Sequence, residues 1–179
     1  MVRIDVVHDL TFHDARLASL RLGTLTLRPE AWDRSSLRFG AVNGGAGVEW
    51  RGFAPGASLR QSHAVSPSVS ATSCLGATEG WVAIADAERG LLVSTDRARA
   101  ATVPLLDFDE VDDGFFCRLS HSAAETDETR ASFLRGRLSF GFAIEGFRAD
   151  DPRILEAART RHQGLIYRTE TDIGITNGL

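Results

Sequence analysis

Apolar and polar residues alternate with a period of two along much of this sequence, and that alternation most constrains its fold. In RGRLSFGFAIEGF, the apolar residues Leu138, Phe140, Phe142 and Ile144 occupy every second position. Successive side chains of a β-strand point to opposite faces of the sheet, whereas a helix repeats every 3.6 residues. We therefore predict that this segment is a long central antiparallel strand with one face on the core.

Other segments show the same alternation or are short apolar runs bounded by turn residues. They are LASLRLGTLTL, SLRFGAV, GVEWRGF, SVSATSCLGAT, WVAIA, GLLVST, VPLLDF, FFCRLSHS and GLIY. The NGG at Asn43–Gly45 joins two of them and is a strong hairpin signal. Gly23 interrupts the first run and predicts a bulge. About ten strands in one domain, residues 1–179, favour an all-β sandwich of two antiparallel sheets.

One short helix is predicted near the C-terminus, over Asp151–His162. Asp150 or Asp151 suits the N-cap, and Pro152 suits the first turn because its missing N–H is not needed there. The apolar stripe of this helix consists of Ile154, Leu155 and Ala158.

The stretch DAERG, between WVAIA and GLLVST, carries Asp86, Glu88 and Arg89. These charged residues have two possible interpretations: a catalytic cluster, or the polar tip of a hairpin. Gly90 restarts the alternation and would suit a left-handed position in a short loop. We therefore predict that these charges lie at the rim of a sheet and have no catalytic role.

Composition excludes several function classes. The net charge is −4, and all 20 basic residues are arginine without a long basic block, so nucleic acid is not an expected partner. No apolar run reaches the ~20 residues of a membrane span, and the charged N-terminus is not a signal peptide, which makes the cytoplasm the expected location. Cys74 and Cys117 have no CxxC spacing, so we expect free buried thiols and no zinc site.

One family resemblance rests on the order of short motifs. The motifs are Trp81-Val82, the acidic turn ADAERG, Leu91–Val93, Thr95-Asp96, the acidic Glu125–Arg130, the strand Arg137–Ile144, ILEAARTRHQ and GLIY. In this order the chain, from Arg38 to Tyr167, resembles the C-terminal β-sandwich of family-38 glycoside hydrolases, the α-mannosidases. Such sandwiches resemble the galactose mutarotase-like supersandwich.

The resemblance implies a function without catalysis. The catalytic aspartate and zinc site of that family belong to an N-terminal barrel and its neighbouring helical domain, and no segment of that size precedes Arg38. No catalytic residue is therefore carried over. We expect a non-catalytic glycosidase-type sandwich with a carbohydrate-related binding or assembly role. A carbohydrate and a glycosidase catalytic subunit are the candidate partners. An apolar face that packs on other domains in the family would also favour a homo-oligomer.

The alternative is a small mutarotase-like enzyme acting on a sugar. Two histidines and a glutamate, His63, His121 and Glu145, could handle the protons of ring opening. Trp50 could stack on a sugar ring, with Arg118 nearby, if these residues share a concave sheet face or its rim. Exposed polar strand faces explain the histidines equally well, and His121 is in phase with Cys117 and Leu119. These five residues are the candidate ligand site.

Two further groups of charged and histidine residues are explained without a ligand site. HDLTFHD places His8-Asp9 and His13-Asp14 five residues apart, which puts the histidines on opposite faces of a strand, so we expect a surface turn and no metal site. DFDEVDDG, which spans Asp107–Asp113, lacks the ligand order of an EF-hand, so we expect a solvated loop in preference to a calcium site. No cofactor is predicted.

Overall fold

The computed structural model of the protein describes residues 2–17, 19–41, 48–56, 58–59, 75–76, 80–125 and 132–151. In chain order the strands are β1 (Arg3–Leu17), β2 (Ser19–Thr26), β3 (Arg38–Ala41), β4 (Glu49–Gly52), β5 (Ser58–Leu59), β6 (Leu75–Gly76), β7 (Trp81–Ala85), β8 (Arg89–Thr95), β9 (Val103–Val111), β10 (Gly114–Glu125) and β11 (Ser132–Arg148). A single 3-10 turn spans Pro29–Ala31 among the described residues.

The strands form two antiparallel sheets. Sheet A has the order β1-β11-β8-β7-β3-β4, and sheet B has the order β2-β10-β9-β5, with β6 also paired to β9. The prediction of an all-β, two-sheet antiparallel sandwich is confirmed. The long strand β11 pairs with β1 on one side and β8 on the other, as its alternation predicted. The predicted helix, beyond Asp151 itself, lies outside the described residues.

The core lies between the sheets, where the alternating apolar residues of each sheet meet. Ile84 of β7 and Phe108 of β9 are fully buried, and Cys117 of β10 is a free, buried thiol, as expected. The rings of Phe53 and Phe108 stack with centroids 3.9 Å apart. Burying each such ring contributes about 2 kcal/mol by transfer from water, so these contacts between the sheets stabilise the sandwich. Cys74 lies outside the described residues.

Strand β7 is buried on both faces. Val82 and Ile84 belong to the inter-sheet core, whereas Trp81 and Ala83 form a second apolar cluster with Leu92 on the outer face of sheet A. This explains why WVAIA is a continuous apolar run without a polar alternate. Continuous runs of this kind are typical of strands that are covered on both sides.

The DAERG stretch is a hairpin tip, as predicted, but Asp86 is buried and organises it. Its Oδ1 accepts hydrogen bonds of 2.8 Å from the backbone N–H groups of Glu88 and Arg89, and its Oδ2 accepts one of 3.2 Å from Asp33. Gly90 is not in a left-handed turn; it lies within β8, opposite Ala85. Phe147 explains the glycine, because a methyl group at position 90 would overlap its ring.

Other predicted turns have mixed outcomes. β3 and β4 pair as the NGG signal predicted, although that turn lies outside the described residues. The expected loop at Asp107–Asp113 is instead the end of β9 followed by a two-residue turn at Asp112 and Asp113. The prediction of a solvated loop was wrong because the alternation of β9 continues through its acidic residues.

The two His-Asp pairs near the N-terminus lie in strand β1 and not in a surface turn. The β1–β11 register shifts between Phe12 and Ala15, and Asp14 there has a φ of 53°. A bulge of this kind adds residues without ending the strand. Because β1 stays regular before it, His8 keeps the phase of the apolar residues Val6 and Leu10.

Candidate functional site

His121 faces the interior of the sandwich. It follows Cys117 and Leu119 at two-residue intervals on β10, and only 2% of its surface is exposed. Its ring stacks on that of Phe142 from β11, with centroids 4.3 Å apart and planes 21° apart. Burial lowers the pKa of His121 from 6.5 to about 4, so the imidazole is neutral at physiological pH. The Nε2 atom lies 3.5 Å from the hydroxyl of Thr95.

Arg118 lies on the opposite face of β10, the outer face of sheet B. Its Nε donates a 3.0 Å hydrogen bond to Oδ2 of Asp107, which is directly opposite on β9. Its guanidinium also lies over the ring of Phe116, 5.2 Å from the centroid. The side chain is therefore held by an ion pair and a cation–π contact within its own sheet.

Glu145 lies on the outer face of sheet A. Its Oε1 is 2.6 Å from Nη1 of Arg3, the residue directly opposite on β1, and 3% of the glutamate side chain is exposed. On its other side Glu145 is opposite Leu92 of β8. A carboxylate that is buried and paired in this way is an ion-pair partner in the fold and not a solvent-exposed base.

Trp50 shares the outer face of sheet A with Glu145 but lies far from it. It is opposite Gly40 at the β4 edge, and its ring packs directly over that glycine. Arg38 lies over the indole, 4.9 Å from the ring centroid. Four strand-to-strand steps separate Trp50 from Glu145, which amounts to roughly 19 Å at the usual strand spacing.

The four described candidates thus lie on three separate surfaces. Trp50 and Glu145 are on the outer face of sheet A, His121 is between the sheets, and Arg118 is on the outer face of sheet B. His63 lies outside the described residues. The described candidates do not line one common pocket, and their individual roles in ligand binding stay predictions.

The structure contains a pocket that the sequence analysis did not identify. It lies between the sheets where their edge strands β1 and β2 flank the core, and its volume is about 220 Å³. Its polar lining side chains are those of His8 and His121. Thr24 also borders it, but its hydroxyl lies 3.5 Å from that of Ser120 on the outer face of sheet B. Its apolar lining residues are Val6, Leu22, Leu25, Val93, Leu119, Phe142 and Ile144, with Gly23 completing the wall.

His8 is the functional candidate that sequence reasoning missed. It lies opposite Phe140 in the β1–β11 register, on the core side, and its ring is 6.3 Å from that of Phe142. Its Nε2 is buried and finds no hydrogen-bond partner among the described residues. The sequence did contain a signal for this position: His8 is two residues from both Val6 and Leu10, so it lies on the same strand face as these apolar residues.

Metal binding finds no support within the described ranges. They contain no group of three or more histidine, cysteine or acidic side chains arranged to hold a metal ion. The acidic residues of β9 are engaged in other ways: Asp107 pairs with Arg118, and Oε1 of Glu110 lies 3.0 Å from Nη2 of Arg34. Within the same part of the chain, no helix has the length and apolar character needed to cross a bilayer.

Comparison with known proteins does not assign the chain to a family. No protein-family model matches the sequence, and no curated protein and no solved structure matches it either.

Proposed function

We propose that this chain is a non-catalytic β-sandwich domain with a binding or assembly role, related to carbohydrate as its resemblance to the α-mannosidase sandwich implies. The observation that carries the non-catalytic part is the state of His121. A general acid–base catalyst works best when its pKa is near the working pH. The imidazole of His121 has a pKa of about 4, is buried, and stacks on Phe142, so it is a poor proton carrier near pH 7.

The other ionisable candidates support the same proposal. Glu145 is paired with Arg3, and Arg118 is paired with Asp107. Each pair joins neighbouring strands of one sheet and fixes the local register. Arginine does not give up its proton in a protein, and Glu145 would accept one only after its pair with Arg3 was broken.

The competing function, a mutarotase-like enzyme, is tested by the rate of anomer exchange. Freshly dissolved α-anomers of glucose, galactose and mannose would be followed by NMR with and without the protein. We expect the protein to leave the rate at its buffer value. An acceleration that His121→Phe removes would contradict the proposal and establish the enzyme.

The carbohydrate part of the proposal centres on Trp50, the candidate aromatic plate. Its indole is partly exposed at the edge of sheet A, with the guanidinium of Arg38 over the ring; a sugar ring would displace this guanidinium from the indole and take it as a neighbouring donor.

A panel of mannose-, galactose- and glucose-containing oligosaccharides would be titrated calorimetrically. We expect Trp50→Ala to weaken binding about tenfold, whereas Phe133→Ala, which removes an exposed ring elsewhere, leaves it unchanged. Equal effects of the two substitutions, or no binding by the wild type, would remove carbohydrate from the proposal and leave assembly with a partner chain.

A further inference from the structure

The inter-sheet pocket combines three properties that together indicate a ligand site. Its volume is about 220 Å³, its walls are mainly aliphatic and aromatic, and it lies at the side of the sandwich where the edge strands β1 and β2 meet. Small-molecule sites are typically concave, mostly apolar and supplied with a few polar groups that orient the ligand. Here the orienting groups are imidazoles from two strands: His8 from β1 and His121 from β10.

His8 supplies an independent observation. Its Nε2 is buried, lies in a residue that lines the pocket, and has no hydrogen-bond partner among the described residues. A buried polar atom without a partner is costly, and such atoms are uncommon in folded proteins. A polar group on a molecule in the pocket would satisfy this nitrogen.

We propose that the inter-sheet pocket binds a small, uncharged, predominantly apolar molecule that carries one hydroxyl or comparable polar group, and that His8 recognises this group. This goes beyond the proposed carbohydrate-related role and does not depend on it, because Trp50 lies on the opposite face of sheet A.

The lining chemistry selects this ligand class. The described lining residues include no carboxylate, lysine or arginine, so a charged ligand would be desolvated without an opposite charge. A sugar has a hydroxyl on almost every carbon and would leave most of them unpaired against Val93, Leu119 and Phe142. A molecule with a single polar group matches Nε2 of His8, the one lining nitrogen without a partner among the described residues.

The size of the pocket limits the ligand to about one substituted ring or a short branched chain. A dry apolar cavity of about 150 Å³ is large enough for benzene. The additional volume here allows one or two substituents. Toluene and 4-methylphenol are therefore suitable probes, because they share an apolar body and differ by one hydroxyl.

The experiment measures dissociation constants of both probes by ligand-observed NMR titration of the wild type and of His8→Phe. The substitution keeps a ring beside Phe142 but removes the nitrogen. We expect both probes to bind the wild type. In His8→Phe, we expect the ratio of the 4-methylphenol constant to the toluene constant to rise about fivefold, the factor typical of one lost hydrogen bond. An unchanged ratio would overturn the role of His8.

Location in the pocket is tested by filling it. Val6→Phe places a larger side chain in the wall, and we expect it to abolish binding of both probes. Its matched control is Val7→Phe, the next residue on β1, which lies on the other face and is 49% exposed. If thermal unfolding shows that Val6→Phe does not fold, Leu25→Phe fills the pocket from β2. Binding that survives a folded filling variant, or no binding of either probe by the wild type, would refute the proposal.

Discussion

We expect the buried imidazole of His121 to make the stability of this fold dependent on pH. Burial lowers its pKa to about 4, whereas in the unfolded chain it keeps the ordinary value of 6.5. Between these values the unfolded state binds more protons, so stability is full above pH 6.5 and falls as the pH drops to about 4. The difference corresponds to ~3 kcal/mol. Urea denaturation at pH 4, 5, 6 and 7 would measure this loss.

The control for this prediction is His121→Phe, which keeps a ring against Phe142 and cannot titrate. We expect its unfolding free energy to change less between pH 4 and 6.5 than that of the wild type. Equal slopes for the two proteins would contradict the prediction.

The carboxylate of Asp86 contributes to stability in a different pH range. Burial raises its pKa, but hydrogen bonds from the backbone N–H groups of Arg89, Glu88 and Asp33 outweigh burial and lower it below 3.8. Its contribution is therefore lost only at more acidic pH.

The carboxylate of Asp86 also stabilises the tip of the β7–β8 hairpin. Three backbone N–H groups donate to it, and the residue is 2% exposed. We expect Asp86→Ala to lower the unfolding free energy by about 2 kcal/mol, because it removes a charged acceptor from all three donors. Glu88→Ala, in the same turn with a 79% exposed side chain, should change it by less than ~0.5 kcal/mol. Chemical denaturation of both variants gives the comparison.

At the scale of the strand, the alternation in the sequence predicted most of what the structure contains. β11, β10 and the β7–β8 hairpin follow from residues that lie next to one another in the chain. Even the register shift in the β10–β2 pair falls next to Gly23, where the interrupted pattern predicted a bulge. The local sequence is sufficient for these elements because the alternation of residues within one strand determines which of its two faces is apolar.

Two of the residues that were misjudged depend on partners from another strand, and the third on the phase of its own strand. Gly90 looked like a turn glycine, yet the reason for it is the ring of Phe147 on another strand. Asp107 looked like part of a solvated loop, yet Arg118 on β10 neutralises it within the sheet. His8 was expected at the surface because its side chain is polar, although its spacing places it on the same strand face as the apolar residues Val6 and Leu10. For Gly90 and Asp107 the deciding partner is a side chain on another strand, which the sequence of their own strand does not reveal.

The close packing of Phe147 on Gly90 gives an element-scale prediction. A methyl group at position 90 would overlap the Phe147 ring, so either the ring or strand β8 must shift. We expect Gly90→Ala to cost about 1–3 kcal/mol of unfolding free energy, as overpacked sites do. Gly52→Ala is the matched control, because a methyl group at this strand glycine meets no atom within 4 Å. Thermal unfolding of the two variants would contradict the prediction if they were equally stable.

At the scale of the whole molecule, the sequence predicted the sandwich but not which residues meet in it. Five residues were expected to share a ligand site, and the four that the structure describes lie on three surfaces. Alternation assigns a side chain to a face only relative to its own strand. The order of strands within each sheet, which decides that Trp50 and Glu145 are four strands apart, results from pairings between distant segments. The inter-sheet pocket likewise needs both sheets before it exists.

The arrangement of the sheets also indicates where self-association, which stays a prediction, would occur. β1 is an edge strand of sheet A; Val2, just before it, is 73% exposed, and Ile4 and Val7 along it are 54% and 49% exposed. Edge strands that carry exposed apolar residues favour pairing with another chain unless unpaired charges interrupt them, and the charges between these residues, Arg3 and Asp5, form an ion pair with each other. We therefore expect a homodimer that forms through the first half of β1.

Light scattering at micromolar concentration would measure this association in wild type and in Val7→Lys. The lysine places a charge on the edge that must pair, so we expect the mass to fall to that of one chain while the melting temperature stays within a few degrees. Val103→Lys charges a similarly exposed valine, 42% exposed, on β9 of the other sheet, and should leave the dimer intact. A dimer that only Val103→Lys dissociates would move the interface away from β1, and a monomeric wild type would contradict self-association altogether.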